Sequence, residues 1–239
     1  MRGILLAGGE GTRLKPLTDT INKHLITIHG KFIIDYSVNS LRSLGCKEIV
    51  IVLGGSHFSQ IVDHLKGEQN GIRFFYVYQG EAKGISQAIN LCKPLIQDNF
   101  PVMLGDNIFT QSISLKETKK NCAQIFLADH QDIKRFGVAS INKSNKIVKI
   151  EEKPKEIDKE YKNLAITGCY YFTPEFFDYF TETKPSNRNE FEIVDIIQKY
   201  LDNNKLEYST VSGLWSDAGV FETINNLNAH YFINQSLKF

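Results

Sequence analysis

The sequence has little that would indicate a thiolate metal site, a membrane protein or a nucleic-acid-binding protein. It has only four cysteines among 239 residues, and they are scattered without the CxxC spacing of a zinc site. No stretch approaches the roughly 18 consecutive apolar residues that cross a bilayer. The net charge of +1 provides no broad positive surface for nucleic acid or anionic lipid. We therefore expect reduced thiols, a cytoplasmic protein, and no nucleic-acid or membrane partner.

Internal repeats, low-complexity tracts and linkers are also missing, and the remaining composition is that of a folded protein. Hydrophobic residues make up 42% and charged residues 23% of the chain, which is ordinary for a globular protein. The apolar segment 2–7 stops at Gly8, is too short for a signal peptide, and is predicted as a first strand. We expect one domain over residues 1–239 with a sizeable core.

The first half of the chain alternates predicted strands with predicted helices. Glu48–Leu53 is apolar almost throughout, as expected of a strand that is covered on both faces. The alternation predicts a parallel sheet with right-handed crossovers, in which ligands bind beyond the carboxyl ends of the strands. The predicted strands are 2–7, 48–53, 73–78 and 100–104, and the predicted helices are 32–44, 57–66 and 84–94.

The second half predicts shorter strands and a closing helix. Together the two halves predict an α/β protein with a Rossmann-like, mixed and mostly parallel sheet, flanked by helices and carrying a small β-rich lobe. The predicted strands are 137–141, 147–152, 165–172 and 208–211, the helices are 174–180, 192–201 and 220–236, and the loops include 153–163 and 215–219.

A glycine-rich turn at residues 8–13, within LAGGEGTRL at 6–14, directly follows the first predicted strand, and residues 105–107 directly follow the predicted strand 100–104. Glycines let backbone N–H groups converge on an anion, and Arg13 adds a fixed cation with several donors. The segment does not match a Walker A loop, because no Lys-Ser/Thr follows the last glycine. It also lacks the third glycine of a dinucleotide fingerprint. These residues alone indicate either a phosphate loop or a tight turn without a ligand.

Six further segments accompany the glycine-rich loop, and together they resemble the sugar nucleotidyltransferase family. The resemblance extends in order from residue 2 to about residue 226, and LGDNIF with KPSNRNEFE is most similar to short-form glucose-1-phosphate thymidylyltransferases. The segments are NKHL at 22–25, LGDNIF at 104–109, EEKP at 151–154, AITGCY at 165–170, KPSNRNEFEIVD at 184–195 and WSDAG at 215–219.

This resemblance implies a reaction between dTTP or UTP and a hexose 1-phosphate, with glucose 1-phosphate first among them. It also implies a nucleotide-binding half at about 1–110 and a sugar-binding half with the closing helix at 111–239. Arg13 is expected to face the leaving pyrophosphate, Lys23 the triphosphate and Lys153 the sugar phosphate. The implied nucleotide-binding residues are Leu6, Ala7, Gly8, Gly9, Gly11, Thr12, Gln79, Gly84 and Asp106, and the implied sugar-phosphate-binding residues are Asn107, Gly137, Glu152, Lys153 and Thr167.

The resemblance also implies a Mg²⁺ cofactor held by Asp106 and Asp217. Mg²⁺ keeps several waters and takes one or two carboxylates together with substrate phosphates. Turn capping is the alternative role for an aspartate in a loop. For Glu152 and Lys153 to face one pocket the chain must bend before Pro154, because successive strand residues point to opposite faces.

The loop that begins at Gln79 resembles the base-reading loop of the family. A glutamine amide offers a donor and an acceptor to the imide edge of thymine or uracil. The two prolines of the family loop are replaced here by Gly80 and Ala82, so the choice between thymidine and uridine stays open. A homo-oligomer, either a dimer or a tetramer, is expected. The alternatives are a uridylyltransferase, an inactive regulatory homologue that binds a nucleotide-sugar, and a glycosyltransferase of related architecture.

Overall fold

The computed structural model describes residues 1–116 and 121–236, which form a mixed α/β fold. Its strands are β1 Arg2–Ala7, β2 Thr27–Ile28, β3 Lys31–Phe32, β4 Glu48–Leu53, β5 Glu68–Gln69, β6 Ile72–Tyr78, β7 Phe100–Leu104, β8 Asn107–Phe109, β9 Ala123–Ala128, β10 Gly137–Ile141, β11 Ile147–Glu152, β12 Lys162–Phe172, β13 Leu206–Thr210 and β14 Trp215–Asp217. Its α-helices are α1 Ile33–Ser43, α2 Phe58–Leu65, α3 Ile85–Asn90, α4 Glu175–Thr181, α5 Ile193–Asp202 and α6 Phe221–Ser236.

Four parallel strands, in the order β7-β1-β4-β6, form the centre of the main sheet. Successive side chains of a strand point to opposite faces, and both faces are covered here. Ile4 and Leu6 of β1 pack with residues of α3, α4 and α5, whereas Leu5 and Ala7 pack with residues of α1 and α2. Burial on both sides explains why these strands are nearly continuous apolar runs in the sequence.

The long strand β12 joins the second half of the chain to the same sheet. It runs antiparallel to β7, β9 and β10, and β10 in turn pairs with β11. β9 also pairs in parallel with β13. The prediction of a mixed, mostly parallel sheet flanked by helices is therefore confirmed, and the β10–β11 hairpin lies at one end of the strand order.

Two local predictions need correction. The segment Ala123–Ala128 was not predicted as a strand, yet it forms β9 and all six of its residues are buried. Residues 215–219 were predicted as a loop, but Trp215–Asp217 forms β14 and pairs antiparallel with β8. A strand of three residues is too short to show an alternating hydrophobic pattern in the sequence, so it is recognised only from its pairing with another strand. Within the described ranges, no helix has the length and apolar character needed to cross a bilayer.

Candidate active site

The carboxyl ends of the central parallel strands bring the predicted glycine-rich loop and the LGDNIF segment together. The Gly105 N–H donates to Leu6 O at 2.8 Å, which joins the end of β7 to the end of β1. Gln79, directly after β6, lies across the same edge, and its Nε2 donates to Gly8 O at 3.1 Å. The expectation that 8–13 and 105–107 both follow strand ends is confirmed.

An ion pair between Lys23 and Asp106 lies at the centre of this edge. Lys23 Nζ is 2.6 Å from Asp106 Oδ2, and both side chains are largely buried. Gly9 and Gly11 contact the Lys23 side chain. Burial alone would raise the pKa of the Asp106 carboxyl, but Lys23, His24 and the hydrogen bonds from Lys23 and Asn107 together lower it below the ordinary value. The carboxylate is therefore ionised at every physiological pH.

His24, the next residue, is a buried neutral histidine. The Asn22 Oδ1 accepts from the backbone N–H of His24 at 3.0 Å and lies 2.9 Å from its Nδ1. Because Asn22 Oδ1 can only accept, Nδ1 carries the hydrogen and Nε2 carries a lone pair. Burial first, and the Lys23 ammonium second, lower the pKa of His24 to about 3. The His24 side chain is therefore uncharged near neutral pH.

The Asn107 side chain fixes the geometry around Asp106. Its Oδ1 accepts from the Gly168 N–H at 2.9 Å and from Trp215 Nε1 at 2.7 Å. Its Nδ2 donates to Asp106 Oδ1 at 3.0 Å. One buried amide therefore joins β8 and β14 to the chain at Gly168 and orients the Asp106 carboxylate. Asn107 also lines the sugar-side cavity described below, and its role as a sugar-phosphate ligand stays a prediction.

Asp217 is brought close to Asp106 by the pairing of β8 with β14. Asn107 is the register partner of Asp217, and the Ala218 N–H donates to Asp106 O at 2.8 Å. Burial first, and the Asp106 carboxylate second, raise the pKa of Asp217, and Arg135 and Arg13 oppose this rise. Arg135 Nη2 is 3.2 Å from Asp217 Oδ2. Within the described part of the chain, the buried Asp217 Oδ1 has no hydrogen-bond partner.

Gly219 separates Arg13 from Asp217. A Cβ atom at Gly219 would lie 2.7 Å from Asp217 Oδ2 and 2.9 Å from Arg13 Nη2, closer than Cβ atoms approach other atoms. The guanidinium and the carboxylate thus converge on one point of the backbone. Arg13 itself is exposed and lies on a single 3-10 turn, Thr12–Leu14, whose Leu14 is buried.

Two adjoining cavities open along this edge of the sheet. The larger of the two, about 310 Å³, is called the nucleotide-side cavity and the smaller, about 170 Å³, the sugar-side cavity, after the predicted site residues that line them. Asp106, Glu152 and Lys153 line both. The predicted residues in the nucleotide-side cavity are Leu6, Gly8, Gly9, Lys23, Gln79, Gly84, Asp106, Glu152 and Lys153. Those in the sugar-side cavity are Asp106, Asn107, Gly137, Glu152, Lys153, Thr167 and Asp217. Ala7, Gly11, Thr12 and Arg13 line neither cavity.

The predicted bend after β11 is present. Lys153 has a left-handed backbone with φ of 43°, and its N–H donates to Phe136 O at 3.1 Å. Glu152 and Lys153 consequently face the same two cavities despite being adjacent in sequence. The two side chains also form an ion pair, with Lys153 Nζ 3.2 Å from Glu152 Oε1.

Two arginines of the site were not among the predicted site residues. Arg135 lines the sugar-side cavity, and Arg188 lines the nucleotide-side cavity. Arg188 Nη2 lies 3.2 Å from Glu152 Oε1 and 2.8 Å from Glu192 Oε2. Arg188 stands within the KPSNRNEFEIVD segment and could have been selected from it. Arg135 precedes the predicted Gly137 by two residues, and nothing local in the sequence connects it with Asp217.

Gly84 lines the nucleotide-side cavity and also lies against the backbone of Phe191. Its φ is 100°, and a Cβ atom there would lie 2.6 Å from Phe191 O and 2.7 Å from Phe191 N. The Phe191 N–H donates to Lys83 O at 2.8 Å, and the Ser86 N–H donates to Phe191 O at 3.3 Å. The absence of a side chain at Gly84 therefore allows the two loops to pair through their backbones.

Comparison with known proteins finds similarity over nearly the whole chain. The family model described as nucleotidyl transferase matches residues 2–234. The chain is 34% identical to the low-salt glycan biosynthesis nucleotidyltransferase Agl11 of Haloferax volcanii, over 100% of this chain and 68% of that protein. It is 31% identical to the glucose-1-phosphate thymidylyltransferase of Neisseria meningitidis, over 94% of this chain and 80% of that protein.

Two solved structures share the fold over nearly the whole chain. One is a Bacillus anthracis protein proposed to be a glucose-1-phosphate thymidylyltransferase, with a TM-score of 0.87 and 39% identity, covering 96% of this chain and 94% of that one. The other is a UDP-glucose pyrophosphorylase complexed with UDP-glucose, with a TM-score of 0.80 and 25% identity, covering 98% of each chain.

We expect His24 to make the protein sensitive to acid. Its pKa is about 3 in the folded state against an ordinary 6.5, so between these values the unfolded chain binds a proton that the folded chain does not. The stability that the uncharged His24 side chain gives to the folded state is therefore complete above pH 6.5 and is lost as the pH falls towards 3. The His24→Gln variant should therefore lose about 2 kcal/mol less stability than the wild type between pH 7 and pH 5.

The measurement is urea-induced unfolding at a series of pH values. His230→Gln, which changes a partly exposed histidine on α6, is the matched control and should follow the wild type. Parallel pH profiles for the wild type and the His24 variant would contradict the assignment of a buried neutral histidine.

Proposed function

We propose that this chain, which belongs to the nucleotidyl transferase family, condenses dTTP or UTP with a hexose 1-phosphate to give a nucleotide-sugar and pyrophosphate. Glucose 1-phosphate is the first candidate sugar, because enzymes named for it recur among the relatives. The observation that carries the proposal is a cleft of two adjoining cavities that share Asp106, Glu152 and Lys153, with Lys23 lining the nucleotide-side cavity and paired with Asp106. Such a cleft holds two phosphorylated substrates with their phosphates facing each other.

The proposed reaction is an in-line displacement at the α-phosphorus of the triphosphate. An oxygen of the sugar phosphate forms the new bond to phosphorus, and the bond to the oxygen that bridges the α- and β-phosphorus breaks, so that pyrophosphate leaves. The attacking oxygen is already ionised near neutral pH and requires no general base. The obstacles are repulsion between two polyanions and their alignment, which fixed cations overcome through electrostatic stabilisation and positioning.

The cations of the cleft divide this task by their positions. Lys23, against the glycine-rich loop, is assigned to the triphosphate, and Lys153, at the junction of the cavities, to the sugar phosphate. Arg13, beyond Gly219, is assigned to the leaving pyrophosphate. Arg188 lines the nucleotide-side cavity beside Lys153 and adds a second cation for the phosphates where they meet. Before substrate arrives, Lys23 pairs with Asp106, Lys153 with Glu152, and Arg188 with Glu192.

Asp106 and Asp217 suit a Mg²⁺ ion. Asp217 Oδ1 is buried and without a partner among the described residues, and the pKa of Asp217 is raised by burial and by Asp106. In that same part of the chain, no third histidine, cysteine or carboxylate joins them, and Mg²⁺ ordinarily takes its remaining ligands from phosphates and water. When bound, the ion supplies charge stabilisation to the phosphate oxygens. The two carboxylates would hold it at the junction of the cavities.

Recognition of base and sugar is assigned to Gln79 and Glu152. Because Gln79 Nε2 donates to Gly8 O, its Oε1 is left to accept from the imide N–H that thymine and uracil share. The Glu152 carboxylate faces both cavities and can accept from sugar hydroxyls. A UTP-dependent reaction is the second candidate, supported by the 35% identity to the UTP–glucose-1-phosphate uridylyltransferase AglF of Haloferax volcanii. Gln79 alone does not distinguish the two bases.

The remaining assignments concern the whole protein. We assign residues 1–110 to the nucleotide and 111–239 to the sugar, and we propose a cytoplasmic homo-oligomer, either a dimer or a tetramer. All four cysteines are buried, which supports a reducing compartment. Light scattering of the purified protein gives the oligomeric state directly.

The experiment that tests the proposed function is a matrix of dTTP, UTP, CTP, ATP and GTP against several hexose 1-phosphates. Each mixture contains Mg²⁺ and pyrophosphatase, and phosphate release is measured. We expect release only when both substrates are present, with dTTP or UTP and glucose 1-phosphate the best pair. Nucleotide-sugar binding without release in any mixture would favour the regulatory homologue instead.

We predict that Asp106→Asn reduces kcat by at least about 10³-fold while the protein remains folded, because the ionised carboxylate orients both Lys23 and the Mg²⁺ ion. The loss of unfolding free energy should be at most about 3–5 kcal/mol, the cost of leaving the buried Lys23 charge without its partner. Steady-state kinetics and urea unfolding are measured together. Asp63→Asn, a change at an exposed position of α2, is the control, and normal kinetics for Asp106→Asn would reject the metal assignment.

We also predict that Gly219→Ala removes most of the activity with little loss of stability. The added methyl group must displace Arg13 or Asp217, which are the flexible ends of side chains and can move without unfolding the core. A displacement of about 1 Å at such a site costs on the order of 10²-fold in rate. Gly67→Ala is the matched control, because a Cβ atom there meets nothing within 4 Å. Equal kcat values for the two variants would contradict the proposed role of this close approach.

A further inference from the structure

The two carboxylates assigned to the metal each have one cationic partner. Asp106 Oδ2 pairs with Lys23 Nζ at 2.6 Å, and Asp217 Oδ2 pairs with Arg135 Nη2 at 3.2 Å. Both pairs involve a single oxygen of the carboxylate. Together the Lys23 and Arg135 side chains carry two positive charges, which equals the charge of one divalent cation.

The contact of Arg135 with Asp217 is incomplete. An arginine that permanently binds a carboxylate commonly uses two parallel N–H···O bonds. Here a single contact is made, and Asp217 Oδ1 remains buried and without a partner among the described residues. Arg135 therefore neutralises the charge of Asp217 without satisfying the carboxylate.

The surroundings of Arg135 allow it to leave. It ends a single 3-10 turn, Ile133–Arg135, that contains no buried residue, and its side chain is 30% exposed. Its guanidinium lies over the Phe136 ring, 5.4 Å from the centroid, and its Nε is 3.7 Å from the exposed Asp132. The same side chain lines the sugar-side cavity with Lys153. The Arg135 guanidinium is thus placed to exchange the Asp217 carboxylate for a phosphate bound in that cavity.

We propose that Arg135 is a cation exchanged for the metal: it neutralises Asp217 when no divalent ion is present, and ion binding releases it to the sugar phosphate. Lys23 makes the same exchange at Asp106 towards the triphosphate. This inference rests on the proposed metal site and deepens it, because it makes the arrival of the ion the event that frees two positive charges for two anionic substrates. Metal and phosphates then bind cooperatively, through charge and without a change of fold.

The direction in which the affinity for Mn²⁺ changes when Arg135 is replaced distinguishes this exchange from a purely structural role. If Arg135 competes with the ion, its removal strengthens binding of Mn²⁺ to the substrate-free protein. If Arg135 instead holds Asp217 in place for the ion, its removal weakens binding. Free Mn²⁺ is measured by electron paramagnetic resonance during titration of the protein without nucleotide or sugar phosphate.

We expect Arg135→Met to bind Mn²⁺ about 3- to 30-fold more tightly than the wild type, and Arg135→Lys to stay within about threefold of it. Lys134→Met is the matched control: it removes the same charge one residue away, where the Lys134 Nζ donates to Lys155 O, and should remain within about twofold. Arg135→Gln replaces the methionine variant if that protein does not fold, as judged by circular dichroism.

Weaker or unchanged Mn²⁺ binding by the Arg135 variants would overturn the exchange, as would equal tightening by Lys134→Met. Absence of Mn²⁺ binding in the wild type would overturn it together with the metal site. Pyrophosphate release by the wild type is measured separately, so an active enzyme with a failed exchange is distinguished from a failure of the proposed function. In the active enzyme, Arg135→Met should also raise the KM for glucose 1-phosphate more than the KM for the triphosphate.

Discussion

The repulsion between two carboxylates in a largely buried cleft is the constraint on which the rest of the site depends. The β8–β14 pairing holds Asp106 and Asp217 close together, and burial raises the energy of both charges. Lys23 and Arg135 compensate one carboxylate each, and the neutral His24 adds no further charge beside them. Two carboxylates placed so close together attract cations before any substrate is present. In the proposed exchange, a metal ion takes the place of the Lys23 and Arg135 side chains, which are then available to phosphate.

The fold supplies this arrangement by aligning strand ends. Parallel strands β1, β4, β6 and β7 end at one edge of the sheet, so loops that are far apart in sequence meet there. The antiparallel strands added by the second half then bring Glu152, Lys153 and Asp217 to the same edge. Glu152 and Asp217 lie on strands, Asp106 and Lys153 follow strand ends within two residues, and the glycine-rich loop between β1 and Lys23 contributes backbone without side-chain bulk. The charged groups are consequently held by the sheet rather than by the loops alone.

The sequence predicted the parts of the fold whose pattern is local, and it missed those that depend on pairing. The central strands were recognisable because burial on both faces makes them apolar throughout. β9 is equally buried, but Gln124 interrupts its apolar run, and only the hydrogen bond to Ser209 in β13 explains a polar side chain there. The bend at Lys153 followed from the demand that two neighbours face one pocket. The contact of Arg135 with Asp217 joins segments 82 residues apart, and no periodicity signals it.

The backbone ladder between residues 83–86 and Phe191 has a consequence for how substrate preference can change. The loop after Gln79 is bonded to the same segment whose Arg188 contacts Glu152. Residues assigned to the base and residues assigned to the sugar thus share one hydrogen-bonded scaffold. A change of length or shape in either loop must be matched in the other. The preference for the base and the preference for the sugar are therefore expected to change together. Transplanting one loop from a relative would therefore bring a foreign partner into the ladder unless both segments were moved together.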